Sequence, residues 1–171
     1  MKSPQAIALI ATALILARPA AHADALRAAI FPFELDDTSL QGAMQGAQAA
    51  ETARLAHLRA QLTTLLSKSG EYQPVDIAPV AEAARKTNLR TCDGCAVDLA
   101  RELGAQVSVI GWVQKVSNLI LNINVVIRDV ASGKMTHAGS VDIRGDTDES
   151  WSRGLAYLVR NRILAGPETA R

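Results

Sequence analysis

Apolar residues recur along this chain in two different periods, which separate predicted helices from predicted strands. Four leucines between Leu55 and Leu65 recur every three or four residues, so they form one stripe along a helix. In the segment LILNINVVIRDV (119–130) every second residue is apolar, and the residues between them include Asn122 and Asn124. That alternation is typical of a strand in a sheet that has one covered face.

The other segments follow the same two patterns. Strands are predicted over residues 26–35, 72–77, 106–116, 119–130 and 135–145, and helices over 51–70, 79–88, 95–104 and 148–164. The loop 36–50 is long for a compact domain, so it either carries function or extends the first helix. The predicted order is β-α-β-α-α-β-β-β-α. We expect an α/β (α+β) fold, in which a single mixed sheet of about five strands is covered by helices.

The beginning of the chain has the pattern of a secretory signal peptide. Lys2 precedes the apolar run AIALIATALILA (6–17), and the small-x-small triplet AHA (21–23) follows it. The apolar run is shorter than the roughly 20 residues that span a bilayer. We expect that residues 1–23 are cleaved, which leaves residues 24–171 as a single periplasmic domain without a membrane span.

Charge and motifs narrow the classes of function. Residues 24–171 carry 16 Lys and Arg against 17 Asp and Glu, without a basic cluster, which argues against nucleic acid as a partner. The sequence contains no phosphate-binding loop, no G-x-S-x-G motif and no histidine paired with a plausible nucleophile. We therefore expect a protein that is not an enzyme and that needs no cofactor.

Cys92 and Cys95 are the only cysteines, and their C-x-x-C spacing suits a disulfide, a redox pair or half of a metal site. Export to an oxidising compartment favours a disulfide, which would fix the start of the following helix. In the alternative, the protein is a thiol–disulfide redox protein in which Cys92 attacks and Cys95 resolves. Proximity to a helix N-terminus would favour the thiolate, whereas Asp93 opposes it.

Two groups of residues are candidate metal ligands. A zinc site needs about four ligands, and neither His57 nor His137 has a neighbour at ligand spacing. A Ca²⁺ ion could be held by the carboxylates of Asp142, Asp146, Asp148 and Glu149. We interpret the acidic segment instead as a helix start, with Asp146 as the N-cap and Glu149 three residues later as its capping-box partner.

One strand face is a candidate binding surface. Asn122, Asn124 and Arg128 share a face with either Gln114 or Lys115 of the neighbouring strand, depending on the register. Such a face can serve as a hydrogen-bonding platform for a partner, or it can simply be solvated. A third possibility is a small-ligand carrier, if the helices leave a pocket beside the sheet.

Several short segments resemble the N-terminal domain of TolB. These segments are AAIFPFELDD, LLSKSGEYQPVDI, DLARELGAQVSVIGWVQKV and VVIRDVASGK. They are also similar to the related module of the curli-secretion lipoprotein and of outer-membrane lipoprotein activators of peptidoglycan synthases. The resemblance implies a non-enzymatic α/β domain that acts by contacting other cell-envelope proteins.

The cysteine pair and the segment VDIRGDTDESWSRGL (141–155) lie outside that pattern. Together with VSNLILN (116–122), they resemble a narrower family of exported bacterial proteins of unknown function. This second resemblance implies partners in periplasmic quinoprotein alcohol-oxidation systems. We therefore expect an accessory or binding module of the envelope, with the redox protein and the small-ligand carrier as the alternatives.

Overall fold

Six strands form one mixed sheet in the computed structural model, which describes residues 24–165. The strands are β1 (Leu26–Ile30), β2 (Glu34–Asp37), β3 (Tyr72–Pro74), β4 (Val107–Ser117), β5 (Ile120–Asp129) and β6 (Met135–Ile143). The α-helices are α1 (Leu40–Gln45), α2 (Ala49–Ser69), α3 (Ala81–Lys86), α4 (Cys95–Glu102) and α5 (Asp148–Leu158). A 3₁₀ turn (Ala78–Val80) precedes α3, and a π turn (Val159–Ile163) extends α5. The predicted fold class is confirmed, whereas the predicted signal peptide lies outside the described residues and stays a prediction.

The sheet has the order β3-β1-β4-β5-β6. β1 is parallel to β3 and β4, and β4, β5 and β6 form an antiparallel meander. β2 continues along the same side of β4 as β1, so the predicted first strand 26–35 is divided in two. The division lies at residues 31–33, where Pro32 has no N–H for the ladder. The ring of Phe33 fills the space over Gly111, where a Cβ would lie 2.4 Å from it.

The larger core lies between one face of the sheet and the helices α2 and α5. Leu58, Leu62 and Leu66 of α2 are fully buried there, while Leu55 and Leu65 of the predicted stripe are partly buried. The sheet contributes alternate residues of β4 and β5, and α5 contributes Trp151, Leu155 and Leu158. Each such side chain stabilises the fold by about 1.5–3 kcal/mol relative to exposure. The alternation in residues 119–130 therefore identified the covered face correctly.

A smaller core lies on the second face of the sheet, and it covers only part of that face. α3, α4 and the 3₁₀ turn pack on Ala29 and Phe31, next to the beginning of β4. Ala96 and Ala100 are the buried residues that bring α4 close to the sheet. Farther along β4, from Trp112 onward, the side chains on this face belong to neither core.

Other elements differ from their predicted bounds for local reasons. β3 ends at Pro74, and it is an edge strand, as a proline suggested. The long loop 36–50 contains α1, whose N-cap Ser39 accepts a hydrogen bond from the Gly42 N–H at 3.0 Å. Leu119, which the alternation placed among buried residues, lies in the β4–β5 turn and is 70% exposed. None of the helices between residues 24 and 165 has the length and apolar character needed to cross a membrane.

Candidate functional site

The uncovered half of the second sheet face is the candidate site, and we call it the open face. Its side chains come from three neighbouring strands and are Trp112, Gln114, Asn122, Asn124, Val126, Ala138, Ser140 and Asp142. The register aligns them in rows across β4, β5 and β6, because Trp112 pairs with Asn124 and Asn124 pairs with Ser140. Side chains in one row are close enough to contact each other.

A hydrogen-bond network holds the polar side chains of the open face in place. Asn122 donates from Nδ2 to Asp142 Oδ1 at 2.8 Å. Its Oδ1 accepts from Asn124 Nδ2 at 2.6 Å and from Ser140 Oγ at 2.9 Å. Fixed side chains lose little conformational entropy when a partner binds. The network therefore gives the face a preorganised set of polar groups, and the use of Asn122 and Asn124 in binding stays a prediction.

Trp112 adds an apolar anchor beside this network. It is partly exposed, it lies across the ladder from Asn124, and its other neighbour is Glu34 of β2. Aromatic residues are enriched in the centres of protein–protein interfaces, where they combine a large apolar area with few rotatable bonds. The sequence analysis did not predict Trp112 as a site residue. Its position along β4 could have shown that it belongs to the open face, because it alternates with the buried Val109 and Val113.

Apolar side chains are concentrated at one end of the sheet, around the β4–β5 hairpin tip. Five of the eight large apolar side chains exposed within residues 24–165 lie there, namely Leu40, Met44, Val116, Leu119 and Ile120. We call this set the apolar end. The last three belong to the β4–β5 hairpin tip, and the first two belong to α1. Such a concentration of apolar surface is typical of interaction sites.

Contacts with Lys115 hold α1 beside the hairpin tip. Thr38, just before α1, donates its backbone N–H to the Lys115 carbonyl at 2.9 Å. Lys115 Nζ donates to Gln41 Oε1 of α1 at 2.8 Å. The two parts of the apolar end are therefore fixed relative to each other by one residue of β4.

Lys115 itself does not belong to the open face, which corrects the prediction that grouped it with the asparagines. The register pairs Lys115 with the buried Leu121 and pairs Gln114 with Asn122. The Lys115 side chain therefore points into the larger core, where it is 0% exposed and forms an ion pair with Glu51 of α2. A buried cation needs such partners because desolvation is costly. Gln114, rather than Lys115, lies next to Asn122 on the open face.

Arg54 of α2 lies next to the Lys115–Glu51 ion pair and has partners of its own. Its guanidinium bonds to Asp146 at 2.9 Å and to Asp148 at 2.6 Å, and it lies 5.8 Å from the Trp151 ring centroid. Burial alone lowers the pKa of Arg54, but the hydrogen bond to Asp148 and the charges of Asp146, Asp148 and Glu51 outweigh it and raise that pKa. Asp146 Oδ2 also lies 3.7 Å from Lys115 Nζ. The network therefore joins α2, β4 and the start of α5.

The acidic residues considered for Ca²⁺ are separated by this arrangement. Asp142 lies on the open face, Asp146 and Asp148 bond to Arg54, and Glu149 pairs with Arg153 at 3.0 Å. Within residues 24–165, no group of three or more His, Cys, Asp or Glu side chains is arranged to hold a metal ion. His57 and His137 therefore belong to no such group. The predicted N-cap is wrong by one residue.

Thr147, rather than Asp146, caps α5. Its hydroxyl accepts a hydrogen bond from the Ser150 N–H at 3.2 Å. Asp146 is unavailable for that role because its carboxylate bonds to Arg54 and approaches Lys115. Asp148 and Glu149 occupy the first turn, where acidic residues suit the helix dipole.

Cys92 and Cys95 are joined by a disulfide with a Cα–Cα distance of 5.7 Å. The bridge closes the loop before α4, and β2 anchors that loop at the border of the open face. Glu34 accepts from the Leu89 N–H at 2.6 Å and from the Arg90 N–H at 3.3 Å. The loop therefore has anchors besides the disulfide, which the sequence did not indicate.

Arg128 lies apart from the asparagines, at the end of the open face that borders the disulfide loop. It donates to the Gly133 carbonyl at 3.2 Å. It also lines a cavity of about 170 Å³ together with Arg90, Cys92 and Ile110. The predicted set of Asn122, Asn124 and Arg128 thus shares one strand and one face, but Arg128 contributes to a different part of it.

A groove between α2 and α5 has the volume of a small-ligand pocket. Its volume is about 420 Å³, and its lining residues are Ala50, Ala53, Arg54, His57, Leu58, Asp148 and Trp151. Ligand pockets commonly measure 300–1,000 Å³. The buried atoms Trp151 Nε1 and Glu51 Oε2 have no hydrogen-bond partner among the described residues. The groove lies on the covered side of the sheet, away from the open face.

Comparison with solved structures gives matches to bacterial proteins. The LpoB C-terminal domain from Salmonella enterica shares 14% identity, with a TM-score of 0.51, over 73% of this chain and 87% of that domain. Lipoprotein GNA1162 from Neisseria meningitidis shares 19% identity, with a TM-score of 0.48, over 71% and 82% of the two chains. The PelC dodecamer from Paraburkholderia phytofirmans shares 10% identity, with a TM-score of 0.49, over 81% of this chain and 89% of that chain. The first of these likenesses shows a shared fold.

Sequence comparison assigns this chain to a protein family. No curated protein sequence matches this chain significantly. A family model named DUF3280, with the description "Protein of unknown function (DUF2380)", matches residues 26–163, which run from β1 through the π turn. The finer resemblance to the TolB N-terminal domain stays a prediction. Because the model matches most of the chain, this protein belongs to that family of unknown function.

Proposed function

We propose that this protein is an exported, non-enzymatic binding module of the bacterial cell envelope, and that it docks another envelope protein on its open face. The observation that carries the proposal is the half-covered sheet. Helices cover one face of β4, β5 and β6, while the other face presents Trp112 and an ordered amide network next to the apolar end. The hairpin tip at the border of this face adds three exposed apolar side chains, Val116, Leu119 and Ile120, and clustered apolar surface is typical of interaction sites.

The chemistry of the open face fits a folded protein partner. Leu119 and Ile120 can enter apolar pockets of the partner, and Trp112 can pack on its surface. Gln114, Asn124 and Asp142 offer polar groups that fix orientation. Interfaces between proteins combine these two features, with an apolar centre and about one hydrogen bond per 100–200 Å².

The sequence supports the envelope as the location. Residues 1–23 have the pattern of a signal peptide. The Cys92–Cys95 disulfide agrees with an oxidising compartment. The resemblance to exported proteins makes components of periplasmic alcohol-oxidation systems the first partners to test.

A thiol–disulfide redox protein is the second candidate function. Cys95 is the first residue of α4, and the cavity next to Cys92 is lined by Arg90 and Arg128. Both the helix N-terminus and nearby cations stabilise a thiolate. Under this candidate, the Cys92 thiolate of the reduced pair attacks a substrate disulfide and releases one substrate thiol. Cys95 then attacks the mixed disulfide, which releases the second substrate thiol and leaves the Cys92–Cys95 pair oxidised.

Site-specific photo-crosslinking in intact cells tests the docking proposal. A photoreactive residue replaces Gln114 on the open face, and a matched chain carries it at the exposed Thr64 on α2. We expect discrete protein adducts from position 114 and none of the same mass from position 64. The adducts should disappear when Leu119→Asp is added, because a carboxylate cannot enter an apolar pocket without a large desolvation cost.

Two results would contradict the proposal. The first is an adduct pattern that is the same from positions 114 and 64. The second is an adduct from position 114 that Leu119→Asp leaves unchanged. Leu119 is 70% exposed, so this substitution leaves the core intact and the fold can be verified by circular dichroism.

A further inference from the structure

The disulfide loop and the end of the open face enclose a small cavity between them. Ile110 and Arg128 of the sheet line it, together with residues 89–94 of the loop and the first turn of α4, and its volume is about 170 Å³. Ile110 pairs with Val126 of the open face and lies two positions along β4 from Trp112, which is about 7 Å in a strand. The cavity is therefore a concave continuation of the open face.

Arg128 brings a charge to this cavity that the protein itself leaves uncompensated. Within residues 24–165 its guanidinium forms no ion pair, and its hydrogen bond to the Gly133 carbonyl, 3.2 Å long, uses only one of its several donors. Two carboxylates line cavities together with Arg128. Asp98 bonds to Arg101 instead, and Asp93 has no cationic partner in the described part of the chain. A half-buried cation of this kind gains more from a counter-charge than an exposed one.

Arg90 supplies a second guanidinium at the same cavity, and β2 holds it in place. Its side chain forms an ion pair with Asp36 at 3.3 Å, and its backbone N–H donates to Glu34 at 3.3 Å. The Cys92–Cys95 bridge closes the loop shortly after it. The charged wall of the cavity is therefore preformed, so little conformational entropy is lost when a ligand enters.

Size and apolar lining determine the kind of group that fits. The cavity is smaller than pockets for drug-sized molecules, which measure about 300–1,000 Å³, so it suits a single side chain. Leu89, Ala96 and Val97 line it and are at most 5% exposed. Apolar surroundings strengthen an ion pair because they lower the local dielectric constant. Since a guanidinium matches both oxygens of a carboxylate, a carboxylate on a short apolar stem complements the cavity.

We infer that the cavity receives the carboxylate of an Asp or Glu side chain from the protein that docks on the open face. This inference rests on the proposed function, and it names the chemistry of one contact in that interface. Arg128 bonds to both carboxylate oxygens, Arg90 adds a second positive charge, and the methylene groups of the side chain lie against Ile110 and Val97. A charged contact of this kind gives an interface specificity and a defined orientation.

Photo-crosslinking from position 114 tests this contact in intact cells. Arg128→Glu, added to the chain that carries the photoreactive residue, should reduce the adducts about tenfold, because like charges then face each other across the interface. Arg153→Glu is the matched control and should leave the adducts unchanged, since Arg153 lies on α5 with an 80% exposed side chain, away from the open face. Unchanged adducts in Arg128→Glu would overturn the inference, whereas a parent chain without adducts would refute the docking proposal itself.

Titration of the purified, oxidised protein tests the cavity without the partner. Propionate carries the carboxylate and the methylene carbons of a Glu side chain, and propionamide is its uncharged counterpart. At constant ionic strength, we expect propionate to shift the backbone amide resonances of Gly94 and Val97 saturably in the millimolar range, and propionamide to leave them unchanged. Arg128→Gln should weaken propionate binding about tenfold. Asp93→Asn should strengthen it about threefold, because a like charge leaves the cavity.

The two variants separate anion binding from a structural role of Arg128. A disturbed loop would weaken binding in either variant, whereas an anion site responds to them in opposite directions. Equal shifts with propionate and propionamide, or an Arg128→Gln variant that binds propionate like the wild type, would overturn the inference. Inorganic phosphate is a third probe. Phosphate binding together with unchanged adducts in Arg128→Glu would make the cavity a site for free anions and would overturn its assignment to a partner.

Discussion

Lys115 illustrates, at the scale of a single residue, how a buried charge is tolerated. It has the same parity along β4 as the buried Val109 and Val113, so alternation alone predicts that it points inward. Its charge favoured the opposite interpretation, in which it belongs to the polar face. The decisive fact is its partner Glu51, which is 64 residues away in the sequence. Long-range pairs of this kind cannot be predicted from local patterns.

Removal of Lys115 should therefore destabilise the protein strongly. We expect Lys115→Met to lower the free energy of unfolding by about 3–5 kcal/mol, because the buried Glu51 carboxylate loses its counter-charge. Glu51→Gln in the same chain should recover part of this loss, since a neutral amide needs no counter-charge. Urea denaturation of the oxidised protein measures both effects. Single and double variants with equal stability would refute this account of the ion pair.

At the scale of elements, the loop that carries the disulfide depends on a neighbouring strand as well as on its own residues. The sequence predicted the helix 95–104 and a bridge at its start, and both are present. It did not predict β2, whose Glu34 holds the loop by two backbone N–H groups. β2 was not separated from β1 in the sequence because residues 26–35 are mostly apolar on both sides of Pro32, where the strand is interrupted. A loop fixed in two ways suits a structural bridge.

We predict that the Cys92–Cys95 bridge is structural. Its reduction potential should lie at or below about −300 mV, whereas catalytic dithiols lie between about −120 and −270 mV. The variant with Cys92→Ala and Cys95→Ala should fold and lose roughly 2 kcal/mol, as expected for the closure of a small loop. Equilibration with dithiothreitol buffers and thiol counting measures the potential. A value in the catalytic range, with a reactive Cys92, would favour the redox function instead.

At the scale of the whole molecule, the antiparallel meander and the order of the elements other than β2 and α1 could be predicted, because they depend on local periodicity. Which half of the sheet stays uncovered could not, because it depends on where α3 and α4 pack. Both are short, and they reach only the beginning of β4. The open face, with Trp112 and the asparagine network, is the result of this incomplete coverage. We regard it as the docking surface.

In-cell protection of the open face tests that claim most directly. Ile120→Cys on the hairpin tip and Tyr157→Cys on α5 are matched probes, because the native side chains are 49% and 50% exposed. Labelling with a small maleimide is compared between intact periplasm and purified protein at the same concentration. Our account predicts that Ile120→Cys reacts about tenfold more slowly in the periplasm, where a partner with about 90% occupancy covers it. Tyr157→Cys should react at the same rate in both settings. Equal rates for Ile120→Cys in cells and in solution would contradict the account.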